Sequence, residues 1–95
     1  MKFKDWYDRS SKAEKGGLDQ DGFIKTADRF VNLANTLNKR VLATEIHYTM
    51  AFASARYSAH VGKNVLEIDN QENYIDHLVN QYRDMLRENF ADPAV

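Results

Sequence analysis

Hydrophobic and polar positions alternate along this chain with the period of helices, and the clearest block is Val41 to Val61, VLATEIHYTMAFASARYSAHV. Between Glu45 and Arg56 it holds no Asp, Glu, Lys or Arg. Apolar or small residues fall on every side of the implied helix, and a helix apolar all round is a buried one. The pattern therefore predicts a central helix over Val41–Val61, ended by Gly62, with neighbouring segments packed on it.

An amphipathic helix precedes it, starting at Asp21 or Phe23 and ending at Lys39 or Arg40. Phe23, Ala27, Phe30, Ala34 and Leu37 follow in steps of four and three, which places them on one face. Asp28, Asn32, Asn35 and Lys39 take the other. The link at Asn38 to Val41 is short, and short links make antiparallel neighbours. No Gly or Pro marks that break, so one long bent helix is the alternative.

A last helix is expected from Asn70 to Asn89. Ile75, Leu78, Tyr82, Met85 and Phe90 form its stripe, with Tyr74, Val79 and Leu86 beside it. Asp69 with Glu72 fits a variant of the capping box. Val65, Leu66 and Ile68, in the preceding connection, close one end of the core in this reading. No strand pattern, internal repeat or low-complexity tract is present. The fold expected is all-α, a three-helix up-down-up bundle over residues 21–95.

Residues 1–20 read differently. MKFKDWYDRSSKAEKGGLDQ is polar and charged, with aromatics at Phe3, Trp6 and Tyr7. Either Lys4 to Lys15 forms a short docked helix closed by Gly16-Gly17, or the segment is a terminal arm.

Composition narrows the class. Ninety-five residues make one domain, able to bury roughly 60–65% of its unfolded surface. There is no cysteine, which removes disulfides and thiolate chemistry. A net charge of −1 with 28% charged residues gives no drive toward nucleic acid or anionic membrane. Lys25, Arg29, Lys39 and Arg40 are too interspersed with acids to make a basic face. The first residues lack the apolar run of a secretory signal. Val41–Val61 is about long enough to span a bilayer, but Glu45, His47, Arg56 and His60 interrupt it. The expectation is a cytoplasmic protein with no nucleic-acid or membrane partner.

Three stretches carry a family likeness: ADRFVNLAN (Ala27 to Asn35), YTMAFASARY (Tyr48 to Tyr57) and LVNQYRDMLRENF (Leu78 to Phe90). Over roughly residues 23–92 the chain resembles a family of small proteobacterial proteins known only as a domain of unknown function. The resemblance implies an α-helical fold in a bacterial, cytosolic setting. It implies no activity, cofactor or catalytic residue.

Candidate chemistry is sparse. GLDQDGFIKTAD (Gly17 to Asp28) looks like a calcium loop, with Asp19, Asp21 and Asp28 at three ligand positions and Gly22 at the turn. Gly17 replaces the first carboxylate, and Asp28 stands where a bidentate Glu is usual. The competing reading is that Asp19 or Asp21 caps the helix. His47, His60 and His77 have no metal-ligand spacing, and no Glu-x-x-His motif is present. The serines lack the context of an activated nucleophile. No catalytic residue, metal or cofactor is expected, and the protein reads as a non-enzyme.

Two binding faces remain. Glu45 and Arg56 lie eleven residues apart, about 16 Å along one side of the central helix, with His60 one turn beyond Arg56. Charges on a buried helix need partners. The bland reading is a salt bridge or hydrogen bond to another helix. The functional one is an anion or small-ligand pocket using Glu45, Arg56, Tyr57 and His60. The second face is Ala43, His47, Met50, Ser54 and Tyr57, the side of the middle helix that a three-helix bundle leaves partly open. It suits a homodimer or another protein. Homodimerisation through this strip is the leading expectation, and the anion sensor the alternative.

Overall fold

A computed structural model of the chain describes residues 17–95. Among the described residues there are three helices: α1 over Gln20–Leu37, α2 over Ala43–Asn64 and α3 over Gln71–Ala91. No strand occurs among the described residues. The all-α, three-helix class is as the periodicity predicts. The expected arm or short helix before Gly17 lies outside the described residues. The described chain divides into two compact units, residues 17–59 and 60–95.

In the first unit, Asp19 caps α1. Its backbone is extended, and its carboxylate accepts a hydrogen bond from the Gly22 amide at 2.8 Å. This satisfies one of the four amides that a helix start leaves without a partner. Asp21 adds a negative charge to the first turn, where the helix dipole favours it.

α1 stops at Leu37, two or three residues before the expected end. Asn38 supplies the reason. Its side-chain amide donates to the Val41 carbonyl at 2.9 Å, a local bond that competes with helix continuation. The Arg40 and Val41 amides both turn back to the Leu37 carbonyl at 3.0 Å. The Glu45 and Ile46 amides then donate to Leu42 at 3.0 Å each, and α2 begins. The first two helices are separate elements, not one bent rod. Ile46 is the buried side chain of this unit, 7% exposed.

The second unit holds the end of α2 and all of α3. Here Gly62 is not the stop expected of it, since α2 runs on to Asn64. Gly62 is buried inside the helix, and the Tyr74 ring lies on it. A Cβ at Gly62 would stand 2.7 Å from Tyr74 Cε2, 3.1 Å from Cζ and 3.2 Å from Cδ2. The glycine is there because the ring leaves no room for a side chain. Tyr74 is 3% exposed and is the anchor of α3, although the periodicity gives it a flanking place. Phe90, expected in the stripe, is 88% exposed.

α2 ends instead where the Val65 and Leu66 amides both donate to the Val61 carbonyl at 3.0 Å. The cap of α3 is Asn70, not Asp69. Its side-chain oxygen accepts from the Asn73 amide at 3.0 Å, three residues on, as an N-cap requires.

Burial of α2 departs most from expectation. Its apolar side chains were expected in a core, yet Tyr48, Phe52 and Tyr57 are 74%, 68% and 69% exposed. Each unit covers one end of the helix, around Ile46 in the first and at Gly62 in the second. The turns from Tyr48 to Tyr57, within the first unit, are exposed.

Candidate functional site

Helical spacing resolves α2 into three strips. Ala43, His47, Met50, Ser54 and Tyr57 advance by four, three, four and three, and so share one face. Tyr48, Phe52, Ala55, Ala59 and Gly62 advance by the same steps along a second face. Glu45, Thr49, Arg56, His60 and Lys63 form a narrow polar strip between them. Two apolar faces and one thin polar one explain why the helix reads as apolar all round.

The first strip is the interface expected from sequence. All five of its residues are exposed, and Met50 and Tyr57 provide its large apolar area. Ala43 and His47 also line a shallow recess of about 200 Å³, completed by Ala34, Asn35, Asn38 and Ile46. That recess sits where the end of α1 meets the start of α2. The second face was not singled out by sequence reasoning. Its signal was present as the regular spacing of Tyr48, Phe52 and the small residues below them.

The polar strip does not have the surroundings that a buried-charge argument requires. Glu45, Arg56, Tyr57 and His60 are all exposed on α2, so water solvates the two charges and neither needs a protein counter-ion. None of these four lines the recess. Thr49 turns its hydroxyl inward along the helix, donating to the Glu45 and Ile46 carbonyls at 3.0 and 3.1 Å. The Asn64 amide lies 3.1 Å from His60 Nδ1.

At the calcium-loop look-alike, the helix occupies the positions over which a loop would wrap an ion. Asp19 is engaged as the α1 cap. Asp21 pairs with Lys25 at 3.0 Å, and Asp28 lies two turns further along the helix. Among the described residues no group of three or more His, Asp or Glu is placed to hold a metal ion. On α3, Arg87 lies 3.9 Å from Asp84 and Arg83 donates to Asn80 at 2.6 Å. These are contacts of a solvated face. No helix among the described residues is long and apolar enough to cross a membrane.

Among the described residues one titratable group is displaced by its surroundings. Burial against Gly62 pushes the Tyr74 phenol above its ordinary value of 10.0, because a low-dielectric site disfavours the phenolate.

Among curated proteins and among solved structures, nothing matches the chain. A family model does match, over residues 23–94, and its description is protein of unknown function (DUF3144). Those residues contain nearly all of α1 and the whole of α2 and α3. With a match over most of its length that takes in Ile46 and Tyr74, the chain belongs to the DUF3144 family.

Proposed function

We propose that this protein is a non-enzymatic interaction module that homodimerises through α2. The observation that carries the reading is the exposure of Met50 and Tyr57 on a regular strip with Ala43, His47 and Ser54. Large apolar side chains gathered on one helix face are what interfaces are built from. The small residues between them let a second helix approach closely. A two-fold interface also uses the same patch on both copies, so one strip suffices. The setting we infer is a bacterial cytoplasm, as the family resemblance implies.

The test places a charge in the strip. Tyr57→Asp and Met50→Lys are expected to raise the dimer dissociation constant by roughly 10–100-fold in sedimentation equilibrium, the range of interface anchor residues. Arg29→Gln, on the polar side of α1, is expected to leave it unchanged. Unaltered association in both strip variants would refute α2 as the contact.

A further inference from the structure

We propose that Asp21-Gly22 is a covalent modification site: Asp21 converts to isoaspartate when the first turn of α1 opens, and the Asp19 cap sets how often it opens. The site lies wholly within α1 and its cap, so it is independent of what covers the apolar faces. The sequence contains a single Asp-Gly and no Asn-Gly. Glycine after aspartate favours cyclisation, because no Cβ hinders the glycine nitrogen and the backbone there turns freely.

The chemistry needs only water. The Gly22 nitrogen attacks the γ-carbon of the Asp21 carboxylic acid. A C–N bond forms, and the acid's hydroxyl leaves with the amide hydrogen as water. The product is a five-membered succinimide. Water then opens the ring. Cleavage at the γ-carbonyl restores aspartate. Cleavage at the α-carbonyl leaves the chain running through the former side chain, which is isoaspartate, with one more backbone methylene and the original mass. The Asp21 side chain is 76% exposed, so water reaches it.

The closed helix holds this reaction off. The Gly22 amide, which carries the attacking nitrogen, donates to the Asp19 carboxylate at 2.8 Å. The next amide, of Phe23, donates to the Asp19 carbonyl at 2.9 Å. Asp21 is itself helical, and a helical residue keeps ψ near about −42°. The ring closes only when ψ swings the Gly22 nitrogen round onto the side chain, which breaks both bonds. The Asp21 carboxylate also pairs with Lys25 at 3.0 Å, but an exposed pair adds little. Helix ends are among the first places to open, and at this end the cap bond engages the reacting nitrogen itself. An extra methylene at residue 21 would then displace the Gly22 amide from Asp19 and loosen the start of α1.

The test incubates the full chain under native conditions and measures isoaspartate at residue 21 by peptide mapping, in which the isoaspartyl peptide elutes apart from its parent at equal mass. Asp19→Ala is expected to speed its formation about fivefold, the equilibrium equivalent of a cap of about 1 kcal/mol. Asp19→Asn still caps the helix and should leave the rate unchanged. Asn70→Ala removes the matching cap of α3 and should also leave it unchanged. In concentrated urea the wild type and Asp19→Ala should react at one common rate, faster than the native wild type. A native Asp19→Ala chain that reacts no faster than the wild type would overturn the proposal. So would equal acceleration by Asn70→Ala, since opening would then be global. Absence of isoaspartate at residue 21 in urea would overturn the assignment of the site.

Discussion

Gly62 gives the sharpest mutational prediction. Replacing it with alanine has two opposed effects. Gly62 lies inside α2, and alanine is favoured over glycine in a helix interior by about 1 kcal/mol. Against this, the new Cβ meets three ring atoms of Tyr74, at 2.7, 3.1 and 3.2 Å. The ring has little freedom to withdraw: it is 3% exposed and sits in the first turn of a helix fixed by the Asn70 cap. Overpacking a filled site costs about 1–3 kcal/mol. Subtraction leaves Gly62→Ala destabilising by about 0–2 kcal/mol, read by urea denaturation at fixed protein concentration.

Gly22→Ala is the control. Gly22 is also helical, but its Cβ would meet the Leu18 Cδ2 at 3.6 Å and the capping Asp19 Oδ1 at 3.1 Å, on exposed side chains that need shift only a few tenths of an ångström, within the range of the 2.8 Å cap bond. It is expected to be neutral or to stabilise by up to about 1 kcal/mol. With Tyr74→Leu in the background, Gly62→Ala should change sign and stabilise, because the clash is gone. If Gly62→Ala stabilises the wild-type chain as much as Gly22→Ala does, the packing account of Gly62 is wrong.

Other perturbations follow from the same geometry. Ile46→Ala removes the buried side chain of the first unit and is expected to destabilise by about 2–5 kcal/mol in the same assay. Asn70→Ala and Asp19→Ala each remove a cap and should cost about 1 kcal/mol, with Asn70→Asp nearly neutral. Tyr74 makes stability depend on alkaline pH. Its folded pKa lies above the unfolded value of 10.0, so the unfolded chain ionises first. The contribution is intact below pH 10 and is lost as pH rises from 10 toward the folded value. Tyr74→Phe should flatten that part of the stability profile relative to the wild type.

Much of the fold was legible in the sequence, because helical periodicity is a local signal. The steps through Phe23, Ala27, Phe30, Ala34 and Leu37 locate α1, and Ile75, Leu78 and Tyr82 locate α3. What failed depends on contacts remote in the chain. A glycine at a helix end and a glycine under an aromatic ring both lack a Cβ for a reason, and sequence does not say which. Gly62 has the sequence signature of a helix stop, yet its partner is Tyr74, twelve residues on. Asn38 ends α1 through a side-chain bond to Val41 that no Gly or Pro announces. The spacing that puts Met50 and Tyr57 on one strip of α2 is legible as a pattern. The charge argument at Glu45 and Arg56 assumed a buried helix, and exposure removes its premise.

The measurement that bears most directly on this account is the solution mass of the full chain by size-exclusion chromatography with light scattering. The chain weighs 11.0 kDa, and the account predicts a species of twice that mass. A stable helical species of 11.0 kDa would contradict it: the apolar faces of α2 would then stay exposed without a second copy.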